Sequence, residues 1–118
     1  MTRTGTFSFL VIAFCAALTQ PSAGADKYYA YNMTVRTDFK ELYVAQAGTQ
    51  TWGTNQTLND KDKSLDVSER IALTGLKPGH YDVKLVTENG KSCIVKNVDL
   101  TKEKTFVIKE EQISDCHQ

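Results

Sequence analysis

YDVKLVTENGKSCIVKNVDL, residues 81–100, decides the fold. Two runs of alternating apolar residues flank Asn89-Gly90. Asn-Gly is the preferred pair for a two-residue hairpin turn, because both central positions need positive φ. The spacing therefore predicts strands at 81–88 and 91–100. It sets Leu85 opposite Ile94 on one face, and Val86 opposite Cys93 on the other.

The period of two continues outward. In KYYAYNMTV (27–35), Tyr29, Tyr31, Met33 and Val35 alternate with Tyr28, Ala30, Asn32 and Thr34. KELYVAQA (40–47), LDVSERIALTGL (65–76) and KTFVIKEE (104–111) read as further strands. No segment carries a helical apolar stripe, so only a second sheet is available to cover the first. The expectation is an all-β chain, a small antiparallel β-sandwich of about six to seven strands.

The start of the chain is a different kind of segment. Met1-Thr2-Arg3 precedes the apolar run FSFLVIAFCAAL (7–18), and Ala23-Gly24-Ala25 supplies a small-x-small cleavage pattern. The apolar run is shorter than the roughly 20 residues that span a membrane. The expectation is a signal peptide over 1–25 and a single domain over 26–118. The product would be secreted, and periplasmic in a Gram-negative host, with no membrane span. Without Arg3, thirteen Lys/Arg face fourteen Asp/Glu. That near balance gives no basic surface for nucleic acid.

Removing Cys15 with the leader leaves Cys93 and Cys116. In an oxidising compartment this pair is expected to form a disulfide that pins the C-terminal tail to a strand.

Two stretches carry resemblances. LTGLKPGHYDVKLVTENGK (73–91) resembles the L-x-P-G-x-Y-x-V hairpin of prealbumin-like and other secreted β-sandwich domains. The resemblance implies that Pro78-Gly79 turns the chain and Tyr81 enters the core. The wider succession of LYV, WGTN, PGHYDVKLVTENG and VKNVDL, over roughly residues 32–100, resembles small secreted bacterial proteins of uncharacterised function. In that pattern Ser-Pro stands where this chain has Gln46-Ala47. The resemblance implies an architecture and an address, and no reaction.

Catalysis by a nucleophile needs a base held beside it. His80 and His117 sit in no Ser/His/Asp or Cys/His pattern, so neither an enzyme nor a cofactor is expected. Asp60, Asp62, Ser64 and Asp66 alternate as in a calcium-binding loop. However, Leu65 stands where the turn glycine belongs, and Ile71 where the bidentate Glu belongs. A transition-metal trio of His80, Asp82 and His117 is the other metal-binding arrangement, and a metal-delivery protein is the alternative function it would support. Asn32 and Asn55 begin glycosylation sequons, incidental in a bacterial chain.

Trp52, the only tryptophan, lies in the polar connection TQTWGTNQTLNDKDKS. The expectation is a plug that closes one end of the sandwich and anchors a long loop, with Gly48 and Gly53 turning the backbone beside the ring. The competing reading is a contact surface. For an interaction module binding an unidentified protein or small ligand, the candidate residues are Trp52, Asn55, Tyr43 and His80. A third reading is a structural subunit that pairs through an exposed strand edge.

Overall fold

The structure is a computed structural model that describes residues 27–114, 116 and 117. The expected signal peptide lies outside the described residues. Six strands form two three-stranded sheets. The strands are β1 (Tyr28–Asn32), β2 (Phe39–Gln46), β3 (Arg70–Leu73), β4 (His80–Thr87), β5 (Ser92–Asp99) and β6 (Thr105–Ile108). One sheet has the order β3-β1-β6 and the other β2-β4-β5. Short 3₁₀ turns occupy Gln56–Asn59 and Glu110–Ile113. Among the described residues no helix is long and apolar enough to cross a membrane.

Alternation buries one side of each strand between the sheets. Tyr28, Ala30, Phe106 and Ile108 from the first sheet meet Leu42, Val44, Val83 and Leu85 from the second. Tyr29 and Tyr31 lie on the opposite side of β1 from Tyr28, as their spacing predicts. The guanidinium of Arg70 covers the Tyr29 ring at 4.1 Å. The L-x-P-G-x-Y motif also behaves as its resemblance implies. Tyr81 is buried, and its hydroxyl donates to the Lys77 carbonyl while accepting the Lys77 N–H at 3.0 Å. This ties the turn to the strand that follows it.

Three local expectations are corrected. First, the β4–β5 register is shifted by one: Leu85 faces Cys93, Lys84 faces Ile94, and Val86 faces Ser92. The loop has three residues rather than two. Gly90 N–H donates to the Thr87 carbonyl at 2.9 Å and Thr87 N–H to the Lys91 carbonyl at 2.8 Å. Gly90 alone in this turn has positive φ, at 87°. The arrangement is a type I turn closed by a left-handed glycine. A one-residue shift exchanges faces, so Cys93 is buried and Ile94 is 46% exposed.

Second, the strand expected at 65–76 shrinks to Arg70–Leu73. Ser68 adopts φ 66° in a turn closed by Glu69 N–H to the Asp66 carbonyl. Leu65 makes an isolated bridge to Phe39 in the other sheet. Third, β6 runs parallel to β1, within a fold expected to be antiparallel. β5 finishes at the end of the sandwich where β1 begins, so the chain that crosses over there and turns back as β6 runs in β1's direction.

The Cys93–Cys116 disulfide is present. It holds the tail where Ile113 packs against the core and His117 bridges Ser92 at the edge of β5.

Candidate functional site

β2 is an edge strand, and the polar connection after it runs back along that edge. Gly53 N–H donates to the Val44 carbonyl at 3.1 Å. Asn55 Oδ1 accepts the N–H of Leu42 at 3.0 Å and that of Thr57 at 3.1 Å. The buried Thr57 hydroxyl reaches the Lys40 carbonyl at 3.0 Å. The same segment caps the edge of β3. Gln56 accepts Thr74 N–H and donates to the Thr74 carbonyl, and Asn59 donates to the Ala72 carbonyl at 2.8 Å. Side-chain amides thus take the place of a neighbouring strand on both sheets. Asn55, a candidate contact residue from sequence, has its carbonyl oxygen committed to this strap. Of the two glycines expected to turn the backbone beside the ring, Gly48 has a positive φ, 83°, and Gly53 does not.

The strap carries Trp52 to the outer face of the β2-β4-β5 sheet. There Lys84 Nζ lies 5.4 Å from the Trp52 ring centre and 5.2 Å from that of Tyr43. Both distances are within the range over which a cation is attracted to a ring face. Tyr43 pairs across the strands with Lys84, which pairs with Ile94. One row of the outer face therefore reads Tyr43–Lys84–Ile94, with the indole beside it. Tyr43 donates its hydroxyl to Glu41 at 2.8 Å. That bond, with a smaller contribution from burial, raises the phenol pKa. Trp52 is half-buried and lies outside the hydrophobic core, contrary to the plug expectation.

The remaining candidates do not join this group. His80 is exposed at the start of β4, opposite Asp99 and roughly 13 Å along the strand from Lys84. It lines a separate groove of about 640 Å³ with Gln46, Thr51 and Tyr81. The carboxyl of Asp99 is held below its ordinary pKa first by the Thr101 hydroxyl, and to a lesser degree by His80.

The proposed metal trio is separated. His117 pairs with Ser92 and His80 with Asp99, at opposite ends of the hairpin and roughly 20 Å apart. Asp82 lies between these ends, and its carboxylate accepts Gly48 N–H at 3.0 Å and Asn97 N–H at 2.9 Å. The acidic loop brings together a different set from the one its spacing implies. Carboxylate oxygens of Asp60, Asp62 and Glu69 approach within 4.8 Å of one another. Asp66 instead accepts the Ser64 hydroxyl at 2.6 Å. The carboxylates of Asp60 and Glu69 already accept backbone N–H groups, from Asp62 and Asp66 respectively.

Asn32 is fully buried. Its amide donates to the Thr37 and Leu65 carbonyls and accepts from Thr34, so it is a clip between segments rather than a glycan acceptor. Sequence reasoning missed Lys84 as the centre of the outer face. Its placement opposite Tyr43 depends on a strand pairing that no local pattern reveals.

No family model, curated protein or solved structure matches the chain.

Proposed function

We propose that the chain is a secreted, non-enzymatic interaction module whose contact surface is the outer face of β2-β4-β5. The observation that carries this reading is the seating of Trp52 and Tyr43 around Lys84 on a solvent-facing sheet, with Ile94 46% exposed beside them. Aromatic rings with a nearby cation are the residue types that dominate contact energy in interfaces. A partner that fits presents a planar or apolar group with an acidic group beside it. The Cys93–Cys116 bridge supports an oxidising compartment as the place of action.

The test is capture from the secreted or periplasmic fraction of the native host. The processed chain is immobilised as wild type, Trp52→Ala or Lys84→Glu, with melting curves confirming that each is folded. The reading expects a species retained by wild type and lost by both variants. Equal retention by Trp52→Ala would remove this face as the contact surface.

A further inference from the structure

The four strand edges of this sandwich are treated unequally. The edges of β2 and β3 are covered by the strap through Asn55, Gln56 and Asn59. The edge of β5 is taken at Ser92 by the disulfide-held tail, which exchanges both backbone bonds with it through His117. Farther along, β5 is bent by the irregularity opposite Asp82, where Asn97 has φ 56°. Such irregularities, like edge lysines and covering segments, are how sheets block further pairing.

Between the flanking lysines Lys104 and Lys109, the stretch Thr105–Val107 of β6 has no covering segment or bulge among the described residues, and Gln112 takes the backbone groups of Lys109 just beyond it. Its ladder with β1 uses the Lys104 and Ile108 carbonyls, which accept from Tyr29 and Met33. Backbone groups alternate in direction along a strand, so those of Thr105 and Val107 point away from β1. No described residue bonds to them.

We propose that β6 pairs antiparallel with β6 of a second copy, joining two first sheets into one of six strands. The occupant follows from the sequence of the edge itself, Glu103-Lys104-Thr105-Phe106-Val107-Ile108-Lys109. A two-fold pairing centred on Phe106 sets Thr105 opposite Val107 of the other copy, twice, each pair exchanging two backbone bonds. The same register sets Glu103 opposite Lys109 at both ends. Both side chains are exposed and opposite in charge. Phe106, only 5% exposed and facing inward, meets its own copy at the centre and makes the two cores continuous. A register shifted by one hydrogen-bonded pair sets Glu103 opposite Val107 or Glu111 and loses the charge match. The edge is therefore self-complementary in its hydrogen bonds, in its apolar centre and in its charge. This contact lies on the other sheet from the Trp52 face, and the two can fail independently.

Sedimentation equilibrium of the purified processed chain tests the pairing. Wild type is expected to form dimers with a dissociation constant in about the micromolar range. Glu103→Lys places Lys opposite Lys109, and Lys109→Glu places Glu opposite Glu103, so each variant is expected to weaken its own dimer by about tenfold or more. Mixing the two variants restores opposite charges at both ends, and heterodimers are expected at wild-type strength. A wild type that stays monomeric to hundreds of micromolar overturns the proposal. So does a dimer unaffected by either substitution, or a mixture that fails to associate.

Discussion

Replacing Asn55 by Ala removes the oxygen that accepts the backbone N–H groups of Leu42 and Thr57. Both residues are fully buried, at 0% exposure, so water has little access to the donors left behind. An abandoned buried donor costs about 1–3 kcal/mol. With two donors affected and partial relaxation of the strap, the loss is about 3 kcal/mol. A domain of this size has a total stability of roughly 5–14 kcal/mol, so the variant forfeits a large share. At about 5 °C per kcal/mol, its melting temperature falls by about 15 °C. Urea unfolding followed through the Trp52 fluorescence, with far-ultraviolet circular dichroism as a second probe, measures the change. The midpoint should fall with the slope unchanged, because the surface exposed on unfolding is the same. Asn55→Asp retains an acceptor at the same place and should lose less than about half as much. If Asn55→Ala stays within about 0.5 kcal/mol of wild type, the side chain does not hold the edge of β2 and the strap has been misread.

Three further outcomes follow from the same geometry. Removing the disulfide with Cys93→Ala/Cys116→Ala, which opens a loop of sequence separation 23, should cost about 3 kcal/mol in chemical denaturation. Tyr81→Phe deletes the hydroxyl that serves both backbone groups of Lys77 and should cost about 2 kcal/mol by thermal melting, without altering the sheet signal. The Asp82 carboxyl pKa is lowered first by Gly48 N–H, then by Asn97 N–H and more weakly by Lys96. A depressed folded-state pKa contributes stability that is present above the unfolded value of about 3.9 and is lost as pH falls through the folded value. A stability–pH series should therefore decline below about pH 4, and Asp82→Asn should flatten that decline.

Much of the architecture is written locally, and the departures have identifiable causes. Alternation set Tyr28 on one side of β1 and Tyr29 and Tyr31 on the other without saying which side faces the core, and the L-x-P-G-x-Y stretch located the turn that Tyr81 locks. Asn89-Gly90 marked the hairpin but not its register. The same dipeptide serves a two-residue turn or ends a three-residue one, and the choice lies in the φ of Asn89, which no composition fixes. Val67-Ser68 continued a strand pattern on paper, yet the Ser68 turn lets the chain cross between sheets there. The strap was the least legible feature. Its Asn, Gln and Thr side chains read as solvated loop, and only the fold shows that they substitute for missing strand neighbours. For the candidate site, Tyr43 and Trp52 were identifiable as aromatics, but the sequence favoured Trp52 as a plug over Trp52 as a contact surface. Their meeting at Lys84 depends on the β2–β4 pairing.

Whether the single tryptophan belongs to the outer face or to the core is decided most directly by the equilibrium stability of Trp52→Ala. Loss of a half-exposed ring with one cation contact should cost about 1–1.5 kcal/mol in urea unfolding followed by circular dichroism. A loss of about 3–5 kcal/mol, the value for truncating an aromatic residue packed in a core, would contradict it.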